Sequence, residues 1–195
     1  MYRGVTSLVL VRGIDPRDER AVTAVARSVQ FSFPELDHVK AVNPPLLADG
    51  VDITATLRQP EVDANVSIVS SYSGVREAMV EQQRAIRNAH SVVMVGRDIG
   101  TVVAPDADVK IFLTASVEER AARRHSERIA AGRHETSEET LADLKRRDKL
   151  DSERELSPLR SADDAVRIDT TGLSADQALE RIVTVVEERL AGAQP

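Results

Sequence analysis

The chain has 195 residues, 42% of them hydrophobic, which is enough for one substantial α/β core with room for a small inserted subdomain. With no cysteine it can form neither a disulfide framework nor a thiolate metal site, and no stretch approaches about 18 consecutive apolar residues, so a cytoplasmic protein with no membrane partner is expected. A monomer is the expectation for its assembly, which these features do not fix. A net charge of -6 and few aromatics (two Tyr, three Phe, no Trp) argue against a nucleic-acid partner, which rewards a positive surface and base-stacking platforms.

The opening segment, with Val5, Leu8, Val9 and Val11, is predicted to be helical. Asp15-Pro16 with Asp18 then supplies a cap, a first-turn proline and a first-turn acid for a helix through about Ser28. From Val29 to about Thr56 the short alternating runs VQFSF, HVKAV and VDIT are broken by Asn43-Pro44-Pro45 and the turn dipeptide Asp49-Gly50, which predicts a small antiparallel sheet. Arg58 to Ser73 reads as a helix and Gly74 as its break; Val75 to Asn88 resumes with Val75, Met79, Gln82 and Ile86 on one face.

Ser91 to Val95 and Val109 to Leu113 are continuous apolar runs, as expected of strands covered on both faces, and Val166 to Thr170 is a shorter third. Helices follow them, opened by capping boxes at Ser116–Glu119, Thr136–Glu139 and Ser174–Gln177. Strand-helix alternation predicts a parallel, doubly wound sheet with helices on both faces, and such sheets bind ligands beyond the carboxyl ends of their strands. The residues just after Val95 are therefore the first candidates for chemistry.

Gly96-Arg97-Asp98-Ile99-Gly100-Thr101 occupies that position, and by itself fits an Arg97–Asp98 turn as well as a ligand site. Farther on, Arg147, Asp151 and Arg154 fall at i, i+4 and i+7 of a predicted helix and share a face; on charge pattern alone, a surface helix stitched by ion pairs is the better reading. Arg120, Arg123 and Arg124 have Glu118, Glu119 and Glu127 within pairing distance in sequence, so ion pairing and nucleotide contact are both open.

The stretch VGRDIGTVVAPDADVKIFLTASVEERAARR, with its Pro105-Asp106-Ala107 turn and the acidic opening of the next helix, resembles the bacterial cytidylate kinase family. Met1-Tyr2-Arg3, the segment from Arg58 to Arg76 and the segment from Leu144 to Arg160 are similar to that family's first post-loop segment, nucleotide-binding helix pair and lid. The resemblance implies a P-loop nucleoside-monophosphate-kinase-like α/β fold: core helices at 1–28, a small antiparallel monophosphate-binding insert at 29–90, core strands and a helix at 91–135, a lid at 136–160, and a core strand with the C-terminal helix at 161–195. It implies transfer of the γ-phosphate of ATP, with Mg2+, to CMP or dCMP; the rivals are a non-catalytic CMP-binding module and a kinase of another small acceptor.

The resemblance also implies residue roles. Asp98 would accept from the exocyclic amine of cytosine, with Arg76 and Ser67 holding the rest of the base. A carboxylate facing the amine and a cationic fork facing the ring acceptors match the edge that cytosine presents, and uracil reverses it. Arg147 and Asp151 would contact the pentose, and Arg3, Arg97 and Arg154 would surround the phosphate and the transferred group, with Arg97, Arg147 and Arg154 taken as catalytic. Arg120 and Arg124 would bind ATP, and no residue is expected to ligate metal directly.

The family's phosphate-cradling loop, G-x-x-x-x-G-K-[ST], does not occur in these 195 residues, and none of the lysines, Lys40, Lys110, Lys145 and Lys149, follows a glycine. The resemblance puts that loop, a central strand and the loop's helix before Met1. The favoured expectation is that Met1 is an internal methionine of a longer active protein; the alternative is a defective relative that begins here. The chain alone is expected to transfer phosphate feebly or not at all.

Overall fold

The computed structural model describes residues 1–34, 45–89, 91–130, 132, 134–153 and 159–192. Two compact units divide the chain, Met1–Val93 and Met94–Pro195.

The first unit is built on four helices and a small sheet. Helix α1 (Tyr2–Val11) turns Val5 and Val9, one helical turn apart, into the core and leaves Val11 outside, which resolves the mixed spacing of its apolar residues. Helix α2 (Glu19–Ser28) starts later than Asp15-Pro16 suggested. Its cap is Asp18, whose side chain accepts from the Ala21 amide at 3.0 Å, whereas Asp15 accepts from the Arg17 amide in a separate turn. The competing local bond of Asp15 moved the start.

The expected antiparallel sheet is present as β1 (Phe31–Ser32), β2 (Leu47–Ala48) and β3 (Val51–Asp52), with Phe31 opposite Ala48 and Ala48 opposite Val51. Asp49 and Gly50 close the β2–β3 hairpin at φ 50° and 81°, the pair of left-handed residues a tight hairpin turn requires. HVKAV and the first two residues of Asn43-Pro44-Pro45 lie outside the described residues.

Helix α3 (Pro60–Val69) takes Pro60 in its first turn, where no amide is needed. Helix α4 (Ser73–Ala89) contains Gly74, contrary to the expected break; the chain leaves helix geometry earlier, around Ser70–Tyr72. Gly74 is there for contact: a Cβ would sit 2.4 Å from Thr23 Cγ2 of α2. Gln82, expected on the inner face, ties α4 to the sheet by accepting from the Phe31 amide and donating to the Val29 carbonyl, at 2.9 and 2.8 Å. Val5, Val9, Val22, Val25, Phe31, Ile53, Val69, Val75 and Met79 form one shared apolar cluster, so the opening helices, the small sheet and α4 bury each other's faces.

In the second unit β4 (Ile111–Thr114) and β5 (Val166–Asp169) pair in parallel, Ile111 opposite Val166 through Thr114 opposite Asp169. Helix α5 (Val117–Ala130) packs on α6 (Ser137–Glu153), and α7 (Ala175–Ala191) follows β5. The boxes at Thr136–Glu139 and Ser174–Gln177 are complete in both directions; at Ser116 the hydroxyl accepts from the Glu119 amide. The strand expected at Ser91–Val95 is not formed. Among the described residues no strand pairs with it, and Val93 and Val95 are 96% and 95% exposed rather than covered on both faces. An apolar run becomes a strand only when a neighbour takes its backbone hydrogen bonds. The doubly wound sheet is correspondingly reduced here to a two-stranded parallel pair.

Gly74→Ala tests the helix contact. Alanine favours the helix by about 1 kcal/mol, but overpacking against the stiff Thr23 costs about 1–3 kcal/mol. Net destabilisation is expected, visible as a lower midpoint of chemical denaturation followed by circular dichroism.

Candidate functional site

In the first unit one face of α3 carries Asp63 and Ser67 at i and i+4, and Ser70 caps the end of the helix. Two arginines frame it. At the first end Arg3, from the start of α1, donates through Nη1 to the Leu57 carbonyl at 2.9 Å and to Asp63 Oδ1 at 2.7 Å. About 10 Å along the helix, Arg76 of α4 donates through Nη1 to the Ser70 carbonyl at 3.1 Å and lies 5.2 Å from the centroid of the Tyr2 ring. Arg76 is only 4% exposed. A guanidinium keeps its charge, so burying it requires such acceptors and a π face. The structure thus brings Arg3 and Arg76, far apart in sequence, to opposite ends of the helix that carries Ser67.

Arg97 and Asp98 belong to the second unit, in the segment after Val95. Arg97 is exposed, whereas Asp98 is 5% exposed and opens a single π-type turn, Ile99–Val103, its carbonyl accepting from the Val102 amide at 2.9 Å. A buried carboxylate beside an exposed guanidinium suits a ligand with a donor edge and an anionic end.

The hairpin of α5 and α6 holds the other candidates. Arg120 donates from Nε to the Ala115 carbonyl at 3.2 Å and pairs with Asp148 at 2.7 Å; Arg124 pairs with Glu127 at 3.1 Å. Arg123, the third of the cluster, instead binds Glu119, Thr170 and the Leu173 carbonyl, joining α5 to the end of β5. Arg147 lies 3.4 Å from Asp143 through Nε. The backbone of Asp151 continues α6, and Arg154 lies outside the described residues.

Asp143 is the hub of this hairpin. Besides Arg147 it pairs with Arg146 at 2.7 Å and with the buried Arg128 at 3.1 Å, and Arg128 donates to both oxygens of Glu135 at 2.6 Å. Burial opposes the Asp143 charge, but Arg146, Arg147 and Arg128 outweigh it and hold the carboxyl below the usual range. Sequence reasoning missed Tyr2, Asp63 and Asp143. The i, i+4 spacing of Asp63 to Ser67 and of Asp143 to Arg147 was available as a signal; the Tyr2 contact was not, since it joins residues 74 positions apart in sequence (76 − 2).

Among the described residues no group of three or more His, Cys, Asp or Glu could hold a metal, and no helix is long and apolar enough to cross a membrane.

An α/β protein with arginines gathered on helix faces and a buried carboxylate in a loop has the make-up of one that handles phosphorylated ligands. The family model for cytidylate kinase matches residues 1–188. The chain is 47% identical over 190 residues to the cytidylate kinase of Geobacillus kaustophilus, covering 97% of this chain and 83% of that relative. It is 46% identical over 190 residues to the cytidylate kinase of Bacillus licheniformis (97% and 82%) and 44% over 189 residues to that of Bacillus velezensis (97% and 83%). The chain belongs to the cytidylate kinase family.

Because the folded-state pKa of Asp143 is lowered, its contribution to stability is present above the unfolded carboxyl's titration near pH 4 and is lost as pH falls through the lower folded value. Asp143→Asn is expected to lower stability by about 1–3 kcal/mol at pH 7. Paired urea titrations should show that deficit shrinking below about pH 4, as the wild-type carboxyl takes up its proton.

Proposed function

We propose that this chain recognises CMP and dCMP and serves transfer of the γ-phosphate of ATP to them, giving CDP or dCDP. The observation that carries the proposal is the α3 face framed by Arg3 and the buried Arg76, in a chain of the cytidylate kinase family. Ser67 and Arg76 are assigned to the base, Arg3 to the phosphate, and the buried Asp98 to the exocyclic amine of cytosine. Uracil would turn an oxygen toward that carboxylate and leave buried polar groups unpaired.

Arg97, Arg147 and Arg154 are assigned to the transferred phosphoryl group, with Arg147 and Asp151 also reaching the pentose. Phosphoryl transfer asks for no covalent intermediate, only for positioned positive charge where the equatorial oxygens gain negative charge. Asp143 would hold Arg147 for that purpose.

The donor is assigned as ATP. Arg120 and Arg124 fit a polyphosphate because their partners Asp148 and Glu127 are partly exposed, and such pairs contribute only about 0–1 kcal/mol, so a ligand can displace them. Magnesium would arrive on the donor's phosphates and neutralise charge there, keeping several of its waters rather than sitting in a protein cage. The Gly-Lys-Ser/Thr loop that cradles phosphates in such kinases is not among these 195 residues, so the isolated chain is proposed to bind CMP more measurably than it turns it over.

Asp98→Asn decides the base assignment. Calorimetry should show CMP affinity falling about 10- to 100-fold and the preference over UMP collapsing. An unchanged preference for CMP would sink the role given to Asp98.

A further inference from the structure

We infer that Asp63 is a positioning residue that aims one edge of the Arg3 guanidinium at the phosphate of the bound monophosphate. The inference rests on the assignment of Arg3 to that phosphate. Asp63 is 5% exposed in the first half of α3, and a carboxylate is kept that deep only where a cation or strong donors satisfy it.

The geometry of the pair sets its purpose. A guanidinium and a carboxylate that serve only to join two helices gain most from the bidentate fork, with two parallel N–H···O bonds. Here both contacts of Arg3, to the Leu57 carbonyl and to Asp63, fall on Nη1. No hydrogen bond or ion pair among the described residues engages Nε or Nη2. Those two nitrogens form the side-on fork that fits two phosphate oxygens at once. Asp63 and Leu57 therefore hold the arginine by its far corner and leave its recognition edge available.

The arrangement also lowers the cost of binding. An arginine side chain gives up much rotamer freedom when a ligand orders it, and a side chain ordered beforehand does not lose that freedom on binding. The opposing effect is repulsion between Asp63 and the incoming phosphate. Because the carboxylate faces Nη1 at 2.7 Å, its charge is largely compensated by the guanidinium itself, and pre-ordering dominates.

The test compares CMP with cytidine, which lacks the phosphate, by calorimetry on the full chain. Asp63→Asn should weaken CMP about five- to tenfold and leave cytidine within about twofold. In an Arg3→Ala background the same substitution should change neither ligand. CMP binding that is unchanged or tighter in Asp63→Asn, while Arg3→Ala weakens it, overturns the positioning role alone. Unchanged CMP binding in Arg3→Ala overturns the phosphate assignment of Arg3 as well. Equal losses of CMP and cytidine in Asp63→Asn overturn the proposal in favour of a purely structural pair. Should Asp63→Asn fail to fold, Arg3→Lys decides: lysine keeps the charge but has no second edge, so CMP should bind as weakly as in Arg3→Ala with cytidine unaffected, and wild-type CMP affinity would refute the inference.

Discussion

The constraint that organises both units is that an arginine cannot shed its charge when the fold covers it. Each covered guanidinium must find acceptors nearby, and those acceptors then dictate how neighbouring helices meet. Arg76 is satisfied by the Ser70 carbonyl and the Tyr2 ring, so the start of α1, the end of α3 and the start of α4 converge. Arg128 takes Glu135 and Asp143, which locks α5 onto α6. Removing one partner of such a buried pair leaves an uncompensated charge, so these contacts are permanent parts of the architecture.

A second class of arginine behaves differently. Arg120 and Arg124 meet acids that are partly in water, where an ion pair contributes little and exchanges freely. Arg3 stands between the classes: one corner is held by a buried acid, and no hydrogen bond among the described residues engages the other edge of the same guanidinium. The contrast separates guanidiniums committed to the scaffold from guanidiniums only loosely held by their acids, according to how far the acid is exposed.

Much of this was legible along the chain. The helices at 19–28, 60–69 and 175–191, the hairpin at Asp49-Gly50 and two of three capping boxes follow from short-range chemistry, because caps, turn residues and apolar spacing act over four residues or fewer. Errors arose where a local signal had two uses. Asp15 could cap a helix or close its own turn, and closed the turn. Gly74 could break a helix or admit a neighbour, and admits Thr23. Ser91–Val95 has the composition of a covered strand, but strand formation depends on a partner that composition does not contain.

By itself, the sequence determined the α/β character, the small antiparallel sheet and the resemblance to cytidylate kinases, since these depend on residue types at fixed short spacings. It also marked Arg97-Asp98 and Arg147 as candidates. Only the tertiary structure decided that Asp63 grips Arg3 across 60 residues, that Tyr2 lies under Arg76, and that Asp143 also takes the buried Arg128 of the neighbouring helix. The physical reason is range: hydrogen bonds and ion pairs act within a few ångströms in space, and nothing in linear order records which distant residues the packing of α1, α3 and α4 will bring that close.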